Sequence, residues 1–411
     1  MRTSLGGRYW RLWTSAALSN LADGILKFAL PLLAIGYTRS PTLVAGLTLA
    51  FTLPWLLCAL PAGAIADRHD RRALMLLANV IRATLLAGLL VAVLLDAGSI
   101  WLLYVAALGT GIAETCYDTA SQAIVPQLVG REQLPRANSR LYAAETTALE
   151  LAGPPVAGLL VATAAALALG TPIALWAVAV VVLVSVRGSF RVAGTDRRPV
   201  LRTEIAEGLR FVWRTGILRT FTVMTGVFNF ASSAIQAVLV LYAVGPGSAM
   251  GLSEEGFGWL VSLVAAGALA GSFFAERIER ALGTARAIGI TFFAGAASLG
   301  VPAVTADPVL VGAAFFVSGV ALIVSNVTTV SLRQRITPDR LLGRTNSSHR
   351  LVAYGTKPLG ALAGGLLAQF SSLPTVFAVM SVLAMSTAFG ATKVTASAVA
   401  EAERDASRSP V

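Results

Sequence analysis

From Leu159 to Val186 the chain carries no Asp, Glu, Lys, Arg or His, and the runs Leu85 to Leu95 and Val309 to Val324 are equally uncharged. A water-soluble core rarely needs an apolar run that long. A bilayer does: roughly 20 mainly apolar residues cross its hydrocarbon core, and a helix meets its own backbone hydrogen bonds there. Only 13% of the residues are charged against 56% hydrophobic, where soluble domains have about 25% charged. Laid end to end, the apolar stretches predict an all-α, polytopic membrane protein of twelve spans. These are 12–37, 41–66, 73–95, 99–127, 139–164, 168–186, 219–245, 256–275, 284–304, 307–331, 350–370 and 373–392.

The net charge of +11 is informative through its placement. Arg2, Arg8 and Arg11, then Arg68, Arg71 and Arg72, then Arg131 and Arg136 fall at alternate span ends. The segment Arg187 to Arg214, followed by Arg277, Arg280, Arg333, Arg335, Arg340, Arg344 and Lys393, continues on that side. Arg39 stands alone on the other, among Asp96, Glu254, Glu255 and Asp307. The positive-inside rule puts the basic side, with both termini, in the cytoplasm of a multi-pass protein of the cell (inner) membrane. A nucleic-acid reader would gather this charge on one soluble face, so no nucleic-acid partner is expected. Cys58 and Cys116 lie within predicted spans and offer neither a disulfide framework nor zinc spacing. Asp23 and Lys27 interrupt the first span, which argues against a cleaved signal peptide.

The chain also repeats itself. Gly63 and Arg72 recur 208 residues later as Gly271 and Arg280, and Asn138 recurs as Asn346; at an offset of 209, Asn20 falls on Asn229. Two copies of one design predict two pseudo-symmetric six-helix bundles, 1–186 and 219–392. A cytoplasmic linker at 187–218 joins them and a polar tail follows at 393–411. In a hydrophobic chain, parallel repeats point to a transporter. Within the linker, Leu201, Ile205, Leu209 and Val212 form one apolar stripe; an amphipathic helix over 200–217 is expected to lie along the membrane surface as a tether.

Ionisable groups inside spans are functional candidates by default. The first half holds Asp23 and Lys27, Arg82, Glu114 and Asp118, and Glu145 and Glu150, whereas the second half has little beyond Lys357. Positions matching Asp23, Lys27 and Asp118 are Ser232, Gln236 and Asn326: polar, but uncharged. This asymmetry predicts proton chemistry in the first bundle. Asp23 and Lys27 are four apart and share a helix face, so they can pair; alternatively Asp23 takes up a proton during transport. Glu150, near mid-span, is the second proton candidate. Glu145 lies nearer the cytoplasm, within reach of Arg140 or solvent. Arg82 either snorkels to the cytoplasmic surface or pairs with Glu114 or Asp118, the pair being the favoured reading.

The cluster Asp67, Arg68, Asp70, Arg71 and Arg72 reads first as a topology signal. A mechanical reading also fits it. Gly63 would allow spans 2 and 3 to pack closely, Asp67 would accept from N–H groups at the start of the next helix, and Arg71 would bridge to Asp118 or Asp67 as a cytoplasmic lock.

The pattern Gly63-x-x-Ala66-Asp67-Arg68-x-x-Arg71-Arg72 resembles the signature loop between helices 2 and 3 of the major facilitator superfamily. Ser19-Asn20-Leu21-Ala22-Asp23-Gly24, Leu60-Pro61-Ala62-Gly63 and Pro126-x-Leu128-Val129 resemble the branch of bacterial macrolide-efflux and enterobactin-type siderophore exporters. Asp70 replaces the usual glycine of the loop. The helix-5 antiporter motif survives only as Gly153-Pro154-Pro155-Val156-Ala157-Gly158. The resemblance implies an alternating-access carrier that exports an amphiphilic small molecule in exchange for protons. It further implies a cavity lined by helices 1, 4, 7 and 10, with Asn20, Asp23, Lys27, Glu114, Asn229 and Gln236. An importer or symporter on the same fold, and a non-transporting membrane sensor or assembly partner, are the alternatives. No lysine follows a glycine, so a nucleotide-binding phosphate loop is absent. His69 and His349 have no matching constellation, so neither enzyme chemistry, cofactor nor metal is expected. The expected partners are the lipid bilayer, one small-molecule substrate and protons, with the protein a monomer.

Overall fold

The structure is a computed structural model and describes residues 5–188, 190, 201–392 and 394. The expected tail from Lys393, save Val394, lies outside the described residues, as do 191–200 of the linker. Apart from one isolated bridge between Val244 and Leu252, the described residues are helical or irregular.

The helices are α1 (Gly6–Ala34), α2 (Pro41–Arg68), α3 (Arg71–Leu94), α4 (Ile100–Ile124), α5 (Leu134–Thr146), α6 (Gly153–Thr163), α7 (Ala165–Val184), α8 (Leu201–Arg214), α9 (Gly216–Ala243), α10 (Glu254–Leu282), α11 (Thr284–Leu299), α12 (Pro308–Ile336), α13 (Asp339–Phe370), α14 (Leu373–Ser386) and α15 (Ala388–Ala391). Their starts follow local chemistry. Asp70 caps α3 by accepting from the Ala73 N–H at 3.1 Å. Asp307 caps α12, accepting from Val309 and Leu310, and Ser99 caps α4. Pro41 and Pro308 occupy first-turn positions that need no donor. Gly283 stops α10 with φ of 76°, a left-handed conformation that glycine adopts freely.

Among the described residues, ten helices are long and apolar enough to cross a membrane. The remaining two expected spans meet other structures. Residues 139–164 lie on α5, a π-helical turn at Thr147–Ala152, and α6. Residues 350–370 are the C-terminal part of the 32-residue α13. Large apolar side chains such as Trp101, Val181, Phe273 and Phe370 stand well exposed, a surface that water disfavours and lipid accepts.

The described residues fall into two compact units, Met1–Gly194 with Val240–Ser262, and Thr195–Leu239 with Leu263–Val411. In the first, α1 is the hub. Tyr9 donates to the Ala137 carbonyl at 2.8 Å and Trp13 to Arg140 at 3.1 Å, both on α5. Ser15 donates to Ala179 of α7 at 2.9 Å. In the second unit α9 packs on α13: a Cβ at Gly364 would lie 2.7 Å from Ala234 Cα, and Ser233 donates to the Lys357 carbonyl at 2.8 Å. The amphipathic linker helix is α8, which starts one residue later and ends three residues earlier than the expected 200–217. It is docked on α13, through Glu207 paired with Arg344 and Gly208 set 2.7 Å from Ser348 Oγ at the Cβ position. The side chains of Leu201 and Ile205 lie outside those described.

Candidate functional site

Four turns along α1 carry one polar face into the first unit. Ser19 donates to Asn79 Oδ1 of α3 at 3.1 Å. One turn on, Asp23 meets Arg82, whose Nη1 lies 2.5 Å from each carboxylate oxygen. Both contacts advance along both helices together, so α1 and α3 run parallel there. The Arg82 and Asp23 side chains are 0% and 3% exposed. Removing either charge from water is unfavourable unless the other accompanies it. The Arg82 guanidinium carbon also sits 4.7 Å from the Tyr117 ring centroid on α4 and 5.5 Å from that of Trp176 on α7, where the rings' negative faces favour a cation.

This corrects two expectations. Asp23 pairs across the bundle with Arg82, not along its own helix with Lys27, whose ammonium lies 5.6 Å from the Phe28 ring centroid. Arg82 in turn takes Asp23 as its ion-pair partner instead of Glu114 or Asp118. Glu114 is nevertheless in the same electrostatic neighbourhood, with Asp23, Asp118, Arg82 and Lys27 as its charged neighbours. It is buried, and its Oε2 has no hydrogen-bond partner. Asp118 is half-buried one turn further along α4, and Asn20 is half-buried on α1.

Behind Asp23, α1 crosses the π-helical turn at closest range. A Cβ at Gly24 would lie 2.8 Å from the Leu149 carbonyl oxygen, and one at Gly153 would lie 2.7 Å from the Gly24 carbonyl carbon. The turn has a sequence cause. Pro154 and Pro155 lack the N–H groups that would reach back to Glu150 and Leu151, so the α-helical ladder cannot continue. Ser262 Oγ of α10 lies 3.2 Å from the Leu151 carbonyl and 2.9 Å from the Gly258 carbonyl of its own helix, and its one O–H is shared between them. Glu150 stands exposed on this turn and Glu145 half-buried on α5.

At the opposite end of the same unit, Arg39 donates to the Val244 carbonyl at 3.0 Å, just past α9. The positive charge sits where the helix dipole is negative. Glycines bring α6 and α10 together nearby: a Cβ at Gly158 would lie 3.0 Å from Glu255 Cα, and one at Gly258 would lie 2.9 Å from Pro155 Cα.

The signature loop works as a staple within this unit. Asp70 both caps α3 and accepts from the Phe190 N–H at 2.9 Å; the side chain of Asp67, the expected acceptor, lies outside those described. Arg72 donates from Nε and Nη2 to the Leu183 and Val184 carbonyls at 3.0 and 2.6 Å, closing the C-terminal end of α7. Arg71 donates to the Ala123 carbonyl at 2.7 Å, in the last turn of α4 beyond Asp118. Arg68 is exposed at the end of α2. The close packing expected at Gly63 is absent: a Cβ there meets open space, while at its counterpart Gly271 it would lie 2.6 Å from Ile323 Cγ2.

In the second unit Asn229 is half-buried on α9, and Gln236 is exposed and donates to Ser232 Oγ at 3.0 Å. Arg82 as the partner of Asp23, and the π-helical turn, are the features sequence reasoning missed. The adjacent prolines 154 and 155 were the available signal for the turn.

The model of the family described as transmembrane secretion effector matches residues 7–410. The multidrug efflux pump Tap of Mycolicibacterium fortuitum is 27% identical over 388 residues, covering 89% of this chain and 90% of that protein. Its namesake in Mycobacterium tuberculosis is 26% identical over 393 residues, covering 92% and 91%. Two solved structures share the fold. A bacterial homologue of the iron transporter ferroportin, in its inward-facing state, gives a TM-score of 0.74 at 19% identity, covering 95% of this chain and 99% of that one. The nucleoside transporter NupG gives 0.74 at 13% identity, covering 94% and 99%. The protein is thus a multi-pass membrane transporter and not an enzyme, and the chain belongs to the transmembrane secretion effector family of the major facilitator superfamily.

Proposed function

We propose that this protein exports amphiphilic small molecules, drug-like compounds or siderophores, across the cell membrane by alternating access in exchange for protons. Twelve spans in two six-helix bundles, with both termini cytoplasmic, carry the movement. The 208-residue repeat and the alternating arginines support that topology. The efflux direction rests on likeness over some nine-tenths of the chain to pumps named for multidrug efflux. The coupling rests on one observation: a carboxylate and a guanidinium, Asp23 and Arg82, sealed together in the apolar interior of the first half. Protonating Asp23 removes the charge that holds Arg82, so α1 and α3 are free to shift against each other. Asn20, Lys27, Glu114, Asn229 and Gln236 are the proposed polar groups of the substrate path, and the Asp67 to Arg72 loop is the proposed cytoplasmic fastening.

A strain lacking the gene, and the same strain complemented, should be compared across antibiotics, fluorescent dyes and siderophores. Export predicts raised sensitivity or lowered secretion in the deletion strain. Inverted vesicles should then take up the responding compound only while a proton gradient, acid inside, is maintained. Solute accumulation by intact cells that depends on this protein would instead establish import.

A further inference from the structure

The Asp23 and Arg82 pair leaves half of the guanidinium idle. Nη1 contacts both Asp23 oxygens, while Nε and Nη2, the donors of the other edge, are buried with no hydrogen-bond partner among the described residues. On the adjacent α4, Glu114 is 8% exposed and its Oε2 is likewise buried without a partner. A guanidinium has two edges able to receive a carboxylate. One edge is filled and the other is vacant, and a second carboxyl group stands in its field. Glu114 stands one turn before Tyr117 on the same face of α4, and the Tyr117 ring lies 4.7 Å from the Arg82 guanidinium carbon; the charged groups that act on Glu114 are Asp23 and Lys27 from α1, Arg82 from α3, and Asp118 on its own helix. Lys27 is only half-buried and its ammonium lies against Phe28, so Arg82 is the cation enclosed with the two buried carboxyl groups.

We infer that Arg82 is a counter-ion shared by Asp23 and Glu114, and that the three residues together hold a single proton. This rests on the proton-coupled reading above and names the group that carries the proton. With two carboxylates and one guanidinium, the enclosed cluster has one negative charge too many, and a buried charge without a partner is strongly disfavoured. One proton on one carboxyl group makes the cluster neutral. In the present arrangement Arg82 holds Asp23, so the proton is on Glu114. When that proton leaves to water, Glu114 becomes the carboxylate and Arg82 turns its idle edge to it. Asp23, released, takes a proton from water in exchange. No other bond is made or broken; the proton on one carboxyl group is replaced by a proton on the other, and the guanidinium changes helix partner from α1 to α4.

Difference infrared spectroscopy of the purified full-length protein at neutral pH tests this without any substrate. The C=O stretch of a protonated, buried carboxylic acid is distinct from that of a carboxylate and shifts in heavy water. The wild type should show one such band, and Glu114→Gln should lose it. Asp23→Asn should also lose it, because Arg82 then has only Glu114 to hold and ionises it. Arg82→Gln should roughly double the band, both carboxyl groups being left without their cation. Absence of the band in the wild type, its persistence in Glu114→Gln, or its full retention in Asp23→Asn each overturns the shared counter-ion. Thermal unfolding in detergent verifies that each variant is folded, and Asp23→Ser replaces Asp23→Asn if the latter is not. Proton-driven uptake by inverted vesicles, measured separately on the wild type, distinguishes failure of this inference from failure of the transport reading.

Discussion

Gln236 donates a hydrogen bond to Ser232 at 3.0 Å, one helical turn apart, at the two positions that match Lys27 and Asp23 in the sequence repeat. The second half therefore keeps the local pair that the first half has given up. In α9 the contact stays within the helix and is neutral. In α1 the carboxylate has turned to a partner 59 residues away on α3.

The Asp23 and Arg82 pair should be asymmetric under mutation. Arg82→Gln removes the cation that pairs with Asp23, which must then take a proton to stay enclosed, and should destabilise the protein by up to roughly 3–5 kcal/mol, the usual result of breaking a buried pair. Asp23→Asn combined with Arg82→Gln removes both charges and should recover a large part of that loss. Thermal or denaturant unfolding of the purified variants in detergent measures the cycle; additive losses in the double variant would count against a direct pair.

Glycine substitutions should sort by the space around them. Gly24→Ala and Gly153→Ala each force a Cβ against backbone of the neighbouring segment and should destabilise by about 1–3 kcal/mol, as overpacking does. Gly63→Ala meets open space and should leave folding unchanged. The yield and melting temperature of monodisperse protein separate the cases.

Ser262 should matter only because Pro155 is there. Ser262→Ala removes the hydroxyl that the Leu151 and Gly258 carbonyls share and should destabilise by about 0.5–1.5 kcal/mol, the net worth of one hydrogen bond. Pro155→Ala restores a backbone N–H at the position that would reach back to Leu151. In that background Ser262→Ala should be close to neutral. Equal effects in both backgrounds, read by thermal unfolding, would dissociate the two.

Arg72→Ala should loosen the end of α7. It removes two charge-assisted bonds to the Leu183 and Val184 carbonyls, each about 1.5–3 kcal/mol at most. Hydrogen exchange should rise over residues 181–186 while residues around Asp23 stay protected. Arg71→Ala should instead expose the end of α4 near Ala123 and impair export with membrane insertion intact.

The helices were legible because a membrane span needs only length and apolarity, both of which are local. The cap of α3 is equally local, Asp70 standing immediately before the first helical residue, Arg71. The partner of Asp23 was not legible. Spacing along one helix favours Lys27, whereas the choice of Arg82 depends on which faces of α1 and α3 meet and on the rings of Tyr117 and Trp176, residues distant in the chain. Gly63 misled because a small residue permits close packing without requiring it; Gly63 meets open space, whereas Gly271 is set against Ile323 and Val320 of α12.

The hairpin 240–262 belongs to the second sequence half, yet it is compact with the first. Arg39 closes the end of α9, Gly258 admits α6 to α10, and Ser262 brings a hydroxyl to the Leu151 carbonyl, which Pro155 of α6 leaves without a backbone donor. A first half synthesised alone would leave the Leu151 carbonyl without that donor and Arg39 without its helix end. The two sequence halves thus draw on one set of hydrogen bonds, and cutting the chain between them would cost the first half these contacts.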